Sequence, residues 1–481
     1  MKHIKGDNAQ ICFIKEHIRH RCTLFKPVES YTISSSEKQK TLICFNIEHL
    51  DNGLGKGNKM TRLMIIADDL TGALDTGVQF AAAGACVKVI TNWTEDLFHN
   101  DSKTDVLVVD TESRHIAPED AYRIVYNVTA AAVKAGIPHL LKKTDSALRG
   151  NVGSELAAML DASGRPVLPF LPAFPTMDRI TKGGYQYIGG HLLEESIFNQ
   201  DPFEPAKESY VPKIIAQQSD VPVQVVQING NEDNNVKHSI AVFDAQTKEQ
   251  LRGTAQRLMR EGKLSIMAGC AGLASALPDL LGLTGEPEAA ACKTDAILTI
   301  CGSVNPITTR QLEYGEAHGF HRIRLTTAQK LQKDFWNSED GKKELQELVS
   351  ECLQEKLCIL DTNDIPGGEN TVQYTRANGI SSETIRENIP EALGTIASEL
   401  IRKGLKSTIV VMGGDTLIGI LKKLGVQELE PVAELLPGTV LAKFRLNGNI
   451  YQIITKSGGF GKDSLLTDLA QKIITEERKD A

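Results

Sequence analysis

The sequence predicts an α/β protein of two domains, each with a largely parallel sheet flanked by helices. Two stretches carry this. Arg62–Ala67 is an apolar run with the look of a buried strand, Ala73–Gly84 has helical spacing with Gly84 as its C-cap, and Cys86–Ile90 is a second strand. A βαβ opening implies a parallel sheet whose ligands gather at the carboxyl ends of the strands. The pattern restarts at Asp295: Ala296–Ile300 reads as a strand, Cys301–Asn305 as a small-residue turn, and Pro306 as the first residue of a helix.

The remaining composition is that of an ordinary globular chain, with 481 residues, 41% hydrophobic and 24% charged. A net charge of −8 argues against non-specific nucleic-acid binding. No apolar stretch approaches the roughly 18 residues of a membrane span. Nine cysteines form no CxxC pair and no zinc spacing, which suits a reducing cytoplasm. Residues 1–59 lack a sustained period and carry ten Lys and Arg against six Asp and Glu. They read as a poorly ordered extension or as translated sequence upstream of a start at Met60. Gly285–Cys292 lacks periodicity and reads as a linker, giving domains over 60–283 and 295–481 with 284–294 between them.

In the first domain several strand ends gather polar side chains. Asp68 and Asp69 follow the first strand, and only one of them is needed as a helix N-cap. The strand Asp105–Val109 runs into Asp110–His115, which brings Arg114 to a strand end. Ile137–Leu141 runs into Lys142-Lys143-Thr144-Asp145-Ser146-Ala147-Leu148-Arg149-Gly150-Asn151, ahead of a helix over Val152–Leu160. Arg and Lys there suit a carboxylate, while Asp69 and Asp145 can accept from hydroxyls. The expected ligand is a small molecule with one carboxylate and several hydroxyls. Pro166–Pro175 reads as a strand entering a proline-bent loop, Asp178–Gly184 as a charged, flexible segment, and Tyr185–His191 as a hairpin. Strands and helices then alternate to a final helix over Gly272–Leu281.

In the second domain, Ser407–Val411 is a β-branched strand leading to Met412-Gly413-Gly414-Asp415-Thr416 and a helix over Leu417–Leu424. A glycine turn into a helix N-terminus aims N–H groups at an anion. Asp415 or Thr416 can cap that helix. A carboxylate beside phosphate also has a chemical use, taking the proton from an attacking hydroxyl. Ser303 can donate to a nucleotide phosphate or cap its own helix. Lys456-Ser457-Gly458-Gly459-Phe460-Gly461 is a third phosphate-friendly turn. Neither a Walker A motif nor a G-x-G-x-x-G fingerprint is present, so an ATP site here has another design.

Seven motifs in order resemble the four-carbon acid sugar kinase family: IADDLTGALDTG (66–77), DTESRHI (110–116), KKTDSALRGN (142–151), PAFP (172–175), GSVNPITTRQ (302–311), GGDT (413–416) and TKSGGFG (455–461). DDLTGA with KKTDSALRGN looks more like the D-threonate/D-erythronate branch than the 3-oxo-tetronate branch. Asp178-Arg179-Ile180-Thr181 departs from a Gly-Arg-Thr-type sequence expected there. The resemblance implies phosphorylation of the terminal 4-hydroxyl of a tetronate with ATP and Mg²⁺, in a cleft between the domains. It implies substrate contacts from Asp69, Arg114, Lys143, Thr144, Asp145, Ser146 and Arg149. It implies ATP contacts from Ser303, Gly413, Gly414, Asp415, Thr416, Gly458 and Gly459, with Asp415 as catalytic base. Mg²⁺ is expected mainly on ATP oxygens, with its protein ligands unassigned. The competing readings are a 3-oxo-tetronate kinase and a sensor that binds sugar acid and nucleotide without transfer. A homo-oligomer is left open.

Overall fold

The computed structural model describes residues 29–33, 40–44, 61–94, 103–200, 204–233, 235–289 and 293–474. β1 (Glu29–Ile33) and β2 (Lys40–Cys44) pair as an antiparallel hairpin. The expectation for residues 1–59 otherwise falls outside the described residues.

Residues 59–481 make a second unit. It opens with β3 (Leu63–Ala67), α1 (Leu70–Ala81), β4 (Val87–Ile90), β5 (Val106–Asp110), α2 (Pro118–Lys134), β6 (His139–Lys143), α3 (Val152–Ser163) and β7 (Val167–Leu171). A small antiparallel sheet follows, β8 (Arg179–Lys182), β9 (Tyr185–Ile188) and β10 (His191–Leu192). Next come α4 (Val211–Ala216), β11 (Val223–Val226), β12 (Ser239–Phe243), α5 (Lys248–Arg260), β13 (Ile266–Gly269), and two short helices, α6 (Ala271–Ala274) and α7 (Leu277–Leu280). The later part holds β14 (Ile297–Cys301), α8 (Pro306–Ala317), β15 (His321–Arg324), α9 (Thr327–Leu331), α10 (Glu339–Gln354), β16 (Leu357–Asp361), α11 (Thr371–Asn378), α12 (Ser382–Arg402), β17 (Thr408–Met412) and α13 (Gly414–Leu424). The antiparallel strands β18 (Glu428–Leu436), β19 (Thr439–Leu446) and β20 (Asn449–Lys456), then α14 (Leu465–Ile473), complete it.

The α/β class is as expected, and the apolar runs explain the layering. β3, β5, β14 and β17 are buried along their whole length, as strands covered on both faces must be. Side chains alternate between faces: Leu63 and Ile65 pack with Leu70, Leu74 and Val78 of α1, while Met64 and Ile66 pack with Val125, Val128 and Leu156 of α2 and α3. One feature has no local signature. β4 and β18 pair antiparallel (Ile90 with Glu428, Val89 with Leu429), joining both halves into a 15-stranded, mostly parallel sheet of order β11-β12-β7-β13-β6-β3-β5-β4-β18-β19-β20-β17-β14-β16-β15.

Four local expectations are corrected. α1 starts at Leu70, a turn earlier than its apolar spacing suggests, because Asp69 accepts from the Gly72 N–H and caps it there. Asp178–Gly184 is mostly strand β8, which turns at Gly183-Gly184 into β9. The single helix expected over Gly272–Leu281 is broken into α6 and α7; Pro278 lacks an N–H and its ring would clash with the Ala274 carbonyl. Neither Asp415 nor Thr416 caps α13. Gly413 occupies the cap at φ 115°, and Thr416 Oγ1 instead accepts from the Gly302 N–H at 3.1 Å.

Candidate active site

At the carboxyl ends of β3, β5 and β6, five acidic and basic side chains neutralise one another in two sets. Arg114 donates from Nε to Asp68 at 2.7 Å and from Nη2 to Asp69 at 2.5 Å. Burial alone would raise Asp68, but the charges of Arg114, Lys143 and Lys142 outweigh it and bring the carboxyl down to about 2. Asp145 receives a forked pair from Arg149, Nε at 2.6 Å and Nη2 at 3.2 Å. Against its burial, Arg149 and Arg114 hold it well below the usual carboxylate range. Both acids therefore enter any reaction ionised.

The two adjacent lysines part company because strand neighbours face opposite ways. Lys142 is fully buried, 3.0 Å from Glu155, and donates to the Ile66 and Lys143 carbonyls. Lys143 faces the other side, where no carboxylate among the described residues lies within ion-pair distance of it. Gly72 is required beside it: a Cβ there would land on Asp69 Oδ1 and 2.6 Å from Lys143 Nζ.

On the other half, the ends of the adjacent strands β14, β17 and β20 supply three turns. Asn305 caps α8 by accepting from the Ile307 N–H at 3.0 Å, so Ser303 is not the cap; its Oγ accepts from the Asn305 N–H. Among the described residues no side chain caps α13, which leaves its first-turn N–H groups available. Asp415 in that turn is about half exposed, with Arg386 Nε 3.7 Å away. Below the third turn, Lys456 is fully buried and donates to Thr308 Oγ1 and the Gly458 carbonyl, each at 2.9 Å. Burial lowers its ammonium to about 8.

All these turns line one cavity of about 530 Å³. It brings together Asp69, Arg114, Lys143, Asp145, Ser146 and Arg149 from one side with Ser303, Gly413, Gly414, Asp415, Thr416, Gly458 and Gly459 from the other. Thr144 does not line it. That side chain is buried, and its N–H donates to the Gly269 carbonyl, tying β6 to β13. Among the lining residues that sequence reasoning passed over, three stand out. Glu112 opens into the cavity at φ 47° with its side chain exposed; the surrounding protein and the charges of Asp69 and Asp415 push its carboxyl upward. Asp75 accepts from Ser457 Oγ across the cavity, and burial pushes it up to about 7. Arg179 lies in the segment read as flexible. β8 buries Arg179 and Thr181, while Ile180 and Lys182 are more open to solvent. Asp178 before it has φ 52°, a conformation glycine adopts freely and aspartate tolerates, which accounts for the departure at that position.

Comparison with known proteins follows the same division. A model of a sugar-binding N-terminal domain matches residues 63–277, and one of a nucleotide-binding C-terminal domain matches residues 298–466. A D-erythronate kinase of Heliobacterium modesticaldum is 30% identical over 439 residues, covering 87% of this chain and 98% of the relative. The chain belongs to the four-carbon acid sugar kinase family. Another family member, a D-threonate kinase of Salmonella typhimurium LT2, is 28% identical over 425 residues, 85% of this chain and 97% of that one. Among solved structures, a Salmonella typhimurium LT2 protein described as a tRNA synthase shares the fold, with TM-score 0.68 at 19% identity over 85% of this chain and 99% of its own. Among the described residues no helix is long and apolar enough to cross a membrane.

Proposed function

We propose that this kinase uses ATP to phosphorylate the 4-hydroxyl of a four-carbon sugar acid, D-threonate or D-erythronate. The reaction takes place in a cleft between an acid-sugar half (60–283) and a nucleotide half (295–481). What carries this reading is the meeting, in one cavity, of the Arg114, Lys143 and Arg149 strand ends with the glycine turns at Gly413 and Gly458.

The sugar carboxylate lies against Lys143, with Arg114 and Arg149 adding positive field. Asp69 and Asp145, kept ionised, accept from the 2- and 3-hydroxyls, which leaves the 4-hydroxyl facing the nucleotide. Ser303 and the amides of Gly458 and Gly459 hold the phosphate chain. The uncapped N–H groups of α13 meet the transferring phosphoryl group. Asp415 takes the hydroxyl proton as the oxygen bonds to the γ-phosphorus and ADP departs with the electrons of the broken P–O bond.

Mg²⁺ would be held mainly on ATP oxygens, with Glu112 the lining carboxylate that could join them, since among the described residues no group of three or more acidic, His or Cys side chains is arranged as a metal site. When bound it would offset phosphate charge. A cytoplasmic setting belongs to this reading.

The test is ADP release by the full chain with Mg-ATP and D-threonate, D-erythronate, L-threonate or 3-oxo-tetronates, with phosphorus NMR locating the new ester. Turnover on the first two supports the proposal, and preference for a 3-oxo acid moves the chain to the other branch. Binding of both ligands without ADP release makes it a sensor.

A further inference from the structure

Arg179 is a buried cation lining the cavity that the mechanism above leaves unused; Arg310, which also lines it, is paired with Asp463. Arg179 is 5% exposed, and its guanidinium lies over two rings, 5.1 Å from the centre of Phe198 and 5.3 Å from that of Phe460. Nη1 donates to Ser146 Oγ, while Nε is buried without a hydrogen-bond acceptor. Arg114 and Arg149 are each matched by carboxylates, but none among the described residues is within ion-pair distance of Arg179. Burial accordingly lowers its affinity for the proton, against the pull of the more distant Asp145.

A guanidinium stripped of water and given no counter-ion is a costly arrangement that an arriving anion would relieve. Two anionic groups could arrive, the sugar carboxylate and the phosphoryl group. Position decides between them. Ser146, on the substrate loop, touches one edge of Arg179; the Phe460 ring and the backbone at Gly459, where a Cβ would come 3.9 Å from Nη2, lie at the other. The carboxylate is at the opposite end of the four-carbon chain from the hydroxyl that meets ATP, so a cation of β8 that reaches beside the Gly459 backbone lies toward the phosphoryl end.

We propose that Arg179 is a catalytic residue: its planar fork, with the Phe198 and Phe460 rings against it, binds the equatorial oxygens of the phosphoryl group in flight. In that step the substrate 4-oxygen bonds to the γ-phosphorus while the bond to the β–γ bridging oxygen breaks. Its electron pair stays on ADP and the hydroxyl proton passes to Asp415. Arg179 offsets charge without changing its own protonation.

The inference rests on the kinase reading, and the experiment separates the two. Full-length wild type, Arg179→Lys and Arg179→Ala are compared in turnover, and in binding of ADP with aluminium fluoride, a mimic of the transferring group, in the presence of the sugar acid. Arg179→Ala should lose about 10³-fold in kcat, within the range of arginine contacts to transferring phosphoryl groups. KM for the sugar acid and affinity for ADP alone should stay within about threefold, and the tight fluoride complex should disappear. Arg179→Lys keeps the charge but not the fork and should recover little; it is also the variant to read if Arg179→Ala does not fold. Wild-type kcat and an intact fluoride complex in Arg179→Lys would overturn the assignment. So would a tenfold or greater rise in KM for the sugar acid at unchanged kcat, which would make Arg179 a carboxylate reader. A wild type that turns over no tetronate sinks the kinase reading and this inference with it.

Discussion

Asp415 is placed where a carboxylate is least at home if it only has to bind ATP, in the first turn of α13 among N–H groups that attract phosphate. It caps nothing, and Arg386 Nε stands 3.7 Å away. Removing its basicity while keeping its shape should therefore spare nucleotide binding. Asp415→Asn is expected to lower kcat by at least about 10²-fold with ADP affinity nearly unchanged, general-base contributions being of that order. Near-normal turnover by that variant removes Asp415 from the base role. Lys456 makes the converse case. It is buried with only a hydroxyl and a carbonyl as partners, so its charge serves the fold poorly. Lys456→Met should leave the melting temperature equal or higher, yet raise KM for ATP about tenfold by freeing the Gly458 carbonyl and removing positive charge beneath the phosphate turn. A large loss of stability at unchanged KM would make Lys456 structural only.

At the scale of elements, α13 depends on how it begins. Gly413 has φ 115° and ψ 134°, where a side chain costs about 1–3 kcal/mol. Gly413→Ala should lower stability by roughly that amount and weaken ATP far more than the sugar acid. Equal loss of both ligands in a two-ligand titration would contradict a local effect. This turn was legible in the sequence because a β-branched strand, two glycines and an apolar helix face leave one local solution. What Thr416 does was not, since its Oγ1 answers the Gly302 N–H more than a hundred residues away. The same division runs through the site. β6 announced its lysines, but which one faces the cavity depends on strand register. Arg179 escaped notice because β8 is short, polar and pinned by contacts with Ser146, Phe198 and Phe460, all remote in sequence. The pairing of β4 with β18 had no local trace at all, being set by two sheet edges more than 300 residues apart.

At the scale of the whole molecule, Asp75 and Ser457 form a polar contact between α1 and the glycine turn after β20. Burial raises the Asp75 carboxyl from its ordinary 3.8 to about 7, with Asp69 and Glu434 adding to the rise and Ser457 and Lys143 opposing it. Between pH 4 and 7 the folded state holds a proton that the unfolded state has released, so this group's stabilisation is complete below about pH 4 and is lost as pH rises through 7. The slope it contributes is at most about 1.4 kcal/mol per pH unit. Asp75→Asn mimics the protonated form, so the variant should match wild type in melting temperature near pH 4 and exceed it by a margin that grows until about pH 7. Catalysis should register the same event: an ionised Asp75 lining the cavity opposes incoming phosphate, so KM for ATP should climb above pH 7 more steeply in wild type than in Asp75→Asn. The other groups that titrate there, Glu112 and Lys456, are common to both proteins and cancel in the comparison. Parallel melting and KM profiles across pH 5–8 would mean that Asp75 stays ionised throughout and joins the two halves as a charge-assisted acceptor for Ser457.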